Sequence, residues 1–119
     1  MLRLHYHPIF HEPTAPMAKL WWEPDSDEAQ QAPAIVATAW RLWAERLRDR
    51  PFVAGAALTL GDLGAAIATD YLARMGVEPP APIAAWCARC FEVPAMAQAR
   101  AAALAHVEPA LARRAAARR

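Results

Sequence analysis

The chain has 119 residues and a formal net charge of +1, which suits one domain with its own core and gives no indication of nucleic acid or an anionic membrane as a partner. Its 31 alanines outnumber the valines, isoleucines and threonines, 13 together, and this balance favours helices because β-branched side chains lose rotamer freedom there. No uncharged apolar run has the roughly 18 residues of a membrane span and no secretory signal opens the sequence, so we expect a cytoplasmic protein.

Residues 1–24 are predicted to form an irregular segment with short helical turns, because four prolines interrupt any long helix there: Pro8, Pro13, Pro16 and Pro24. Aromatic side chains of this segment are candidates for an apolar pocket or an interface, namely Tyr6, Phe10, Trp21 and Trp22. In the alternative interpretation, residues 2–22 form a first helix with these side chains in its core. Residues 25–119 are predicted to form the helical bundle.

Three histidines near the start, His5, His7 and His11, raise the question of a metal site. On a strand His5 and His7 share a face, whereas on a helix His7 and His11 do, and Pro8 interrupts the helix. Because no single conformation presents all three, we predict partly exposed histidines and no metal.

The main amphipathic helix is predicted between Ala34 and Asp49, where apolar residues recur at helical spacing: Ile35, Ala39, Leu42, Trp43 and Leu47. The acidic run at 25–28 is predicted to be an exposed turn and a helix start. Pro33 either begins the main helix or kinks it.

The segment from Arg50 to Leu63 predicts a tight loop and a strongly specified helix start. Thr59 is a good N-cap, and Asp62 lies three residues later, where its carboxylate can accept from the Thr59 N–H in a capping box. Leu58 and Leu63 flank the pair at the spacing of a hydrophobic staple. The helix is predicted from Leu60 to about Met75, apolar on nearly all sides, with Gly76 as its stop; such a helix belongs at the centre of a domain.

Three shorter helices are predicted after a stiff proline linker at 79–82. Pro82 suits the first position of a helix that carries Trp86, and Pro94 suits the first position of a helix that ends near His106. Pro109 then interrupts, and residues 110–119 form a short Ala/Arg helix. The expected fold is therefore an all-α bundle of about five helices.

Cys87 and Cys90 form a C-x-x-C sequence. A redox pair needs its first cysteine near a helix N-terminus, where the helix dipole lowers the thiol pKa. Here both cysteines lie inside the predicted helix, close to Trp86 and Phe91, so we favour buried packing thiols over a redox site. A zinc site would need two more ligands, and no second C-x-x-C or H-x-x-x-H is present.

The pattern RPFVAG…LTLGDL, followed by PAPIAAWCARCFEVPAMAQA, resembles the C-terminal helical domain of glutathione S-transferases. The matching residues are Arg50 to Gly55, Thr59 with Asp62, Trp86, and Pro94 with Ala95. The resemblance covers roughly positions 40 to 107. One departure is Gly61, where the family usually has alanine.

The resemblance implies glutathione conjugation to electrophiles, in a helical half that supplies the apolar substrate pocket. The glutathione site belongs to a thioredoxin-like half that is not evident here, so glutathione is expected as a co-substrate only where that half is supplied. Tyr6-x-Pro8 resembles the Tyr-x-Pro of the tyrosine-using classes and makes Tyr6 the one catalytic candidate. Expected partners are a second copy of the chain or a thioredoxin-like domain. The alternative function is a non-catalytic protein–protein interaction and assembly module.

Overall fold

A computed structural model describes residues 22–117 of the chain. This part of the chain is an all-α bundle without strands, as predicted. It contains four helices: α1 Asp27–Leu47, α2 Leu60–Arg74, α3 Ala81–Glu92 and α4 Pro94–Ala117. The predictions on Tyr6, Phe10, Trp21 and the three histidines lie outside the described residues.

Helix α1 begins in the acidic run at 25–28, where a helix start is predicted, and continues without a break into the amphipathic segment predicted from Ala34. Its N-cap is Ser26, whose hydroxyl oxygen accepts a hydrogen bond from the Ala29 N–H at 3.2 Å. Because this cap and two first-turn acids already specify a start at Asp27, Pro33 lies inside the helix rather than at its beginning. Leu42, one of the residues that indicated the helix, is 40% exposed, so the buried face is turned away from it.

Helix α2 has nearly the predicted bounds and ends in a Schellman motif. The Val77 N–H donates to the Leu72 carbonyl at 2.9 Å, and the Gly76 N–H donates to the Ala73 carbonyl at 3.1 Å. Gly76 has a φ of 92°, a left-handed conformation that side chains disfavour. The predicted stop at Gly76 is confirmed.

The two helices predicted on either side of Pro109 are a single helix, α4, and the predicted interruption is wrong. Proline removes one backbone hydrogen bond from a helix, but the alanines, Leu104 and Leu111 around it are strong helix formers and carry the helix through. Pro94 is the first residue of α4, as predicted, whereas Pro82 is the second residue of α3.

Three tryptophans form the centre of the core, where Trp40, Trp43 and Trp86 are each at most 2% exposed. The rings of Trp43 and Trp86 meet edge to face, with centroids 5.5 Å apart and an interplanar angle of 63°. The Trp40 indole N–H donates to the Thr69 hydroxyl at 3.1 Å and so joins α1 to α2. The tryptophans thus fix the mutual packing of the first three helices.

Helix α4 is held differently, since Met96 is its only buried residue. Arg100 contacts Asp70 of α2 through two hydrogen bonds of 2.7 and 3.2 Å, and Arg74 lies 3.0 Å from Glu108. The Arg100 guanidinium also lies over the Phe91 ring, 4.6 Å from its centroid. Polar contacts therefore carry much of the attachment of α4. None of the helices in the described range is both long and apolar enough to cross a bilayer.

Candidate functional site

The first candidate is the cluster around Asp62, at the start of α2. The loop before it turns tightly at Phe52 and Gly55, whose backbone N–H and carbonyl groups pair in both directions at 3.1 Å. Gly55 allows this turn because its φ of 141° lies in the region open to glycine. The turn directs the Val53 N–H toward α2.

Asp62 is fully buried, and its carboxylate accepts four hydrogen bonds. One oxygen accepts from the Val53 N–H at 2.9 Å and from the Trp86 indole N–H at 3.0 Å. The other accepts from the Thr59 N–H and the Thr59 hydroxyl, each at 3.0 Å. Asp62 thus joins the loop, the start of α2 and the middle of α3.

The capping box at Thr59 and Asp62 is present, but its hydroxyl half differs from the usual form. The Thr59 hydroxyl makes its short hydrogen bond by donating to the Asp62 carboxylate. Leu58 and Leu63 of the predicted staple are both half-buried and pack against the core. Because all four donors belong to the protein itself, the carboxylate is saturated and suits a structural role rather than acid–base chemistry.

Cys87 and Cys90 lie side by side on α3 and turn toward the core. Cys90 is fully buried, and the Cys87 sulfur lies 3.9 Å from the Ala66 carbonyl oxygen. Burial raises the pKa of Cys87 to about 12, with a further rise from Asp70 and opposing effects of Thr69 and Arg100. Burial also raises the pKa of Cys90 to about 12, with further rises from Asp62 and Cys87. Both thiols are therefore protonated at neutral pH, which favours packing over redox chemistry.

We expect both thiols to resist alkylation in the folded protein. The unfolded thiols ionise near pH 9 and the folded ones near pH 12, so at pH 8 the reactive thiolate is far scarcer in the folded state. Allowing for local opening, iodoacetamide should react at least about a hundredfold more slowly than in urea, since each pKa unit is a factor of ten.

The rate is measured by mass spectrometry of timed samples, and single Cys87→Ser and Cys90→Ser variants separate the two sites. A folded-state rate within tenfold of the urea rate, at either cysteine, contradicts burial of that thiol. The same pKa direction means that these thiols stabilise the fold fully below pH 9 and less as the pH rises toward 12.

The second candidate is an open groove of about 710 Å³ between α1 and the segment that joins α2 to α3. One wall is the face of α1 formed by Pro33, Ala37, Trp40, Arg41 and Ala44. The other wall is the linker at 76–80, together with Pro82. We call this feature the linker groove. Its lining is mostly apolar, and small or proline side chains leave room for an occupant.

The linker groove has one basic and one acidic group, Arg41 on the helix wall and Glu78 on the linker wall. Both residues are exposed, and within residues 22–117 neither side chain makes a hydrogen bond or an ion pair. Among residues 22–117, the groove lining includes no thiol, histidine or hydroxyl side chain. Its chemistry suits binding of an apolar surface with charges of both signs.

Of the pocket residues predicted from the sequence, Trp22 lies in the described range, and it does not line this groove. Trp22 is 77% exposed, so its assignment to the core of a first helix is wrong, while an interface role for it stays a prediction. The sequence does not predict the groove, although its prolines at 79, 80 and 82 predict the stiff linker that forms one wall. A grouping of metal-binding side chains, three or more together, is not found between residues 22 and 117.

No family model, no curated protein and no solved structure matches the chain. The resemblance to glutathione S-transferases therefore rests on the motif residues alone. Three of these residues, Thr59, Asp62 and Trp86, meet in one hydrogen-bond cluster.

Proposed function

We propose that this chain is a non-catalytic binding module, resembling the helical half of glutathione S-transferases, and that the linker groove is its binding surface. The observation that carries the proposal is the groove itself: about 710 Å³ with a mostly apolar lining that, among residues 22–117, includes no thiol, hydroxyl or imidazole side chain. Binding by such a surface comes from burial of apolar area, with the two charged groups giving orientation.

The contacts of the motif residues support a structural role for them rather than a catalytic one. The Asp62 carboxylate accepts its hydrogen bonds from Val53, Thr59 and Trp86, all within the protein. The two thiols, the strongest nucleophiles in the described residues, are protonated and turned inward. Conjugation of glutathione requires a thiolate that is held and oriented, and no described residue offers that.

Glutathione transfer remains the second candidate, and Tyr6 is the residue on which it depends. The Tyr6-x-Pro8 sequence resembles the tyrosine motif of the family, but Tyr6 lies outside the described residues. In this candidate function, a separate thioredoxin-like domain supplies the glutathione site and this chain supplies the apolar pocket.

We expect no heat of binding when glutathione is titrated into the protein at millimolar concentration, and no conjugation of 1-chloro-2,4-dinitrobenzene above the uncatalysed rate. Calorimetry and absorbance measure the two results on the full chain. Turnover that exceeds the background and is lost in Tyr6→Phe would establish the enzyme and refute the binding module. Turnover that survives in Tyr6→Phe and is reproduced in a second preparation also refutes the non-catalytic module and assigns the activity to a residue other than Tyr6.

A further inference from the structure

The linker groove offers an occupant apolar surface and almost no hydrogen-bonding side chains. Within residues 22–117, Arg41 and Glu78 are the charged residues of its lining, and glycine, alanine, valine, proline and tryptophan form the rest. The indole N–H of Trp40 is already donated to Thr69. A backbone amide placed against this lining loses its water without gaining a partner, which is unfavourable.

This lining favours a helical occupant over an extended peptide. An extended peptide would pair with the linker backbone as a strand pairs with a sheet edge, but Pro79 and Pro80 have no N–H to donate. The backbone groups of an α-helix bond to one another, so a helix brings only its side chains to the groove.

The α1 wall of the groove has the spacing of a seam between two helices. Pro33, Ala37, Trp40 and Ala44 follow one another at intervals of four, three and four residues, the a/d spacing of a coiled coil. Ala37 is exposed and Ala44 is half-buried, and their small side chains leave holes for the large apolar side chains of a second helix. From Pro33 to Ala44 the wall is about 16 Å long, which is the length of about three helical turns.

The two charged groups indicate the charges of the occupant. Arg41 and Glu78 stand on opposite walls, both are exposed, and within the described residues neither side chain has an ion-pair partner. A helix lying between the walls pairs with both when it carries an acidic residue on the α1 side and a basic residue on the linker side. An amphipathic helix has positions for both, at the two edges of its apolar stripe.

We infer that the linker groove binds an amphipathic helix of a partner protein, about three turns long. Its large apolar side chains lie against Ala37 and Ala44, its acidic residue lies opposite Arg41, and its basic residue lies opposite Glu78. The inference rests on the proposed binding function and names the class of partner that the groove takes.

The first test is selection from a phage-displayed library of random peptides about 16 residues long, enough for four helical turns. The full chain is the target, and phage that also bind the Ala37→Arg variant are removed, because that variant places a charged side chain in the groove. We expect the enriched peptides to have large apolar residues at helical spacing, flanked by an acidic and a basic residue. The strongest peptide is synthesised, and calorimetry measures its dissociation constant for the full chain.

A proline in the peptide distinguishes a helix from an extended conformation. At a central position on the polar face, proline breaks a helix, so the dissociation constant should rise at least about a hundredfold. Alanine at the same position should change it little. Difference circular dichroism should also show that the peptide gains helix on binding.

Charge exchange tests the two ion pairs. Arg41→Glu should raise the dissociation constant at least about tenfold, and replacement of the peptide's acidic residue by lysine should restore binding to that variant. Glu78→Arg should behave in the same way towards a peptide whose basic residue is replaced by glutamate. The matched control is Arg46→Glu, a reversal on α1 outside the groove lining, which should leave the affinity unchanged. Circular dichroism confirms that each variant is folded.

The inference is overturned when no peptide is enriched on the wild-type chain over Ala37→Arg, or when the groove variants change the affinity no more than Arg46→Glu does. Failure of both charge exchanges overturns it as well. A selected peptide that keeps its affinity with the central proline refutes the helix but leaves the groove as the binding surface of the proposed function. Glutathione turnover lost in Tyr6→Phe, in contrast, refutes the proposed function whether or not a peptide binds.

Discussion

Replacement of Asp62 by alanine should lower the free energy of unfolding by about 3–5 kcal/mol, the range for removal of one partner from a buried charged network. The substitution leaves the Val53 N–H and the Trp86 indole N–H buried without an acceptor, and each such donor costs about 1–3 kcal/mol. The two Thr59 donors are partly buried and add less. Urea unfolding followed by circular dichroism measures the loss.

Two further variants serve as comparisons for the loss of stability in Asp62→Ala. Asp62→Asn keeps one acceptor oxygen but replaces the second with an NH2 group, which faces the hydrogen-bond donors that the second oxygen accepted from. The free energy of unfolding should therefore fall by about 2 kcal/mol. Asp27→Ala removes an exposed acid from the first turn of α1 and should cost less than about 1 kcal/mol. If Asp62→Ala costs no more than Asp27→Ala, the four-donor cluster does not exist in solution.

Replacement of Trp86 by alanine should be the most damaging single change, with a loss of about 5 kcal/mol. Deletion of a fully buried indole leaves a large cavity, which costs about 3–5 kcal/mol for a tryptophan. The edge-to-face contact with Trp43 is also lost, and Asp62 loses one donor. Since small domains are stable by about 5–15 kcal/mol, this loss removes at least about a third of the free energy of unfolding.

Near-ultraviolet circular dichroism and the urea midpoint measure this effect. Trp86→Phe keeps most of the ring packing and loses chiefly the hydrogen bond to Asp62, so the loss should be only about 1–2 kcal/mol. Trp22→Ala is the matched control, because that tryptophan is 77% exposed and its removal should change the midpoint little. If Trp86→Phe and Trp86→Ala lower the free energy of unfolding equally, packing of the indole is not the main contribution of Trp86 to stability.

The start of α2 could be predicted from the sequence because its signals are local. Thr59 and Asp62 lie three positions apart at its start, Gly76 ends it by its own backbone conformation, and the helix lies almost where these residues indicate. The acidic run at 25–28 predicts the start of α1 correctly, whereas the apolar spacing after Ala34 does not reveal that one helix runs through Pro33. Pro109 alone predicts a break in α4, but the alanines and leucines that flank it continue the helix.

The candidate site could be predicted only in part, because it is made by contacts distant along the chain. The sequence indicated a bond from Asp62 to Thr59, whereas the bonds to Val53 and Trp86 depend on how the loop and α3 pack. The linker groove joins residues of α1 to residues more than thirty positions later. Helical periodicity predicts which face of α1 is apolar, but it does not predict which segment lies beside it.

The attachment of α4 has a consequence for how the fold responds to its surroundings. The tryptophan core depends on apolar burial, which added salt does not weaken, whereas α4 is joined to α2 largely by Arg100 with Asp70 and by Arg74 with Glu108. Half-exposed ion pairs are screened as ionic strength rises. We therefore expect the last turns of α4 to be the least protected of the described helices against amide hydrogen exchange, opening and closing while the tryptophan core stays intact.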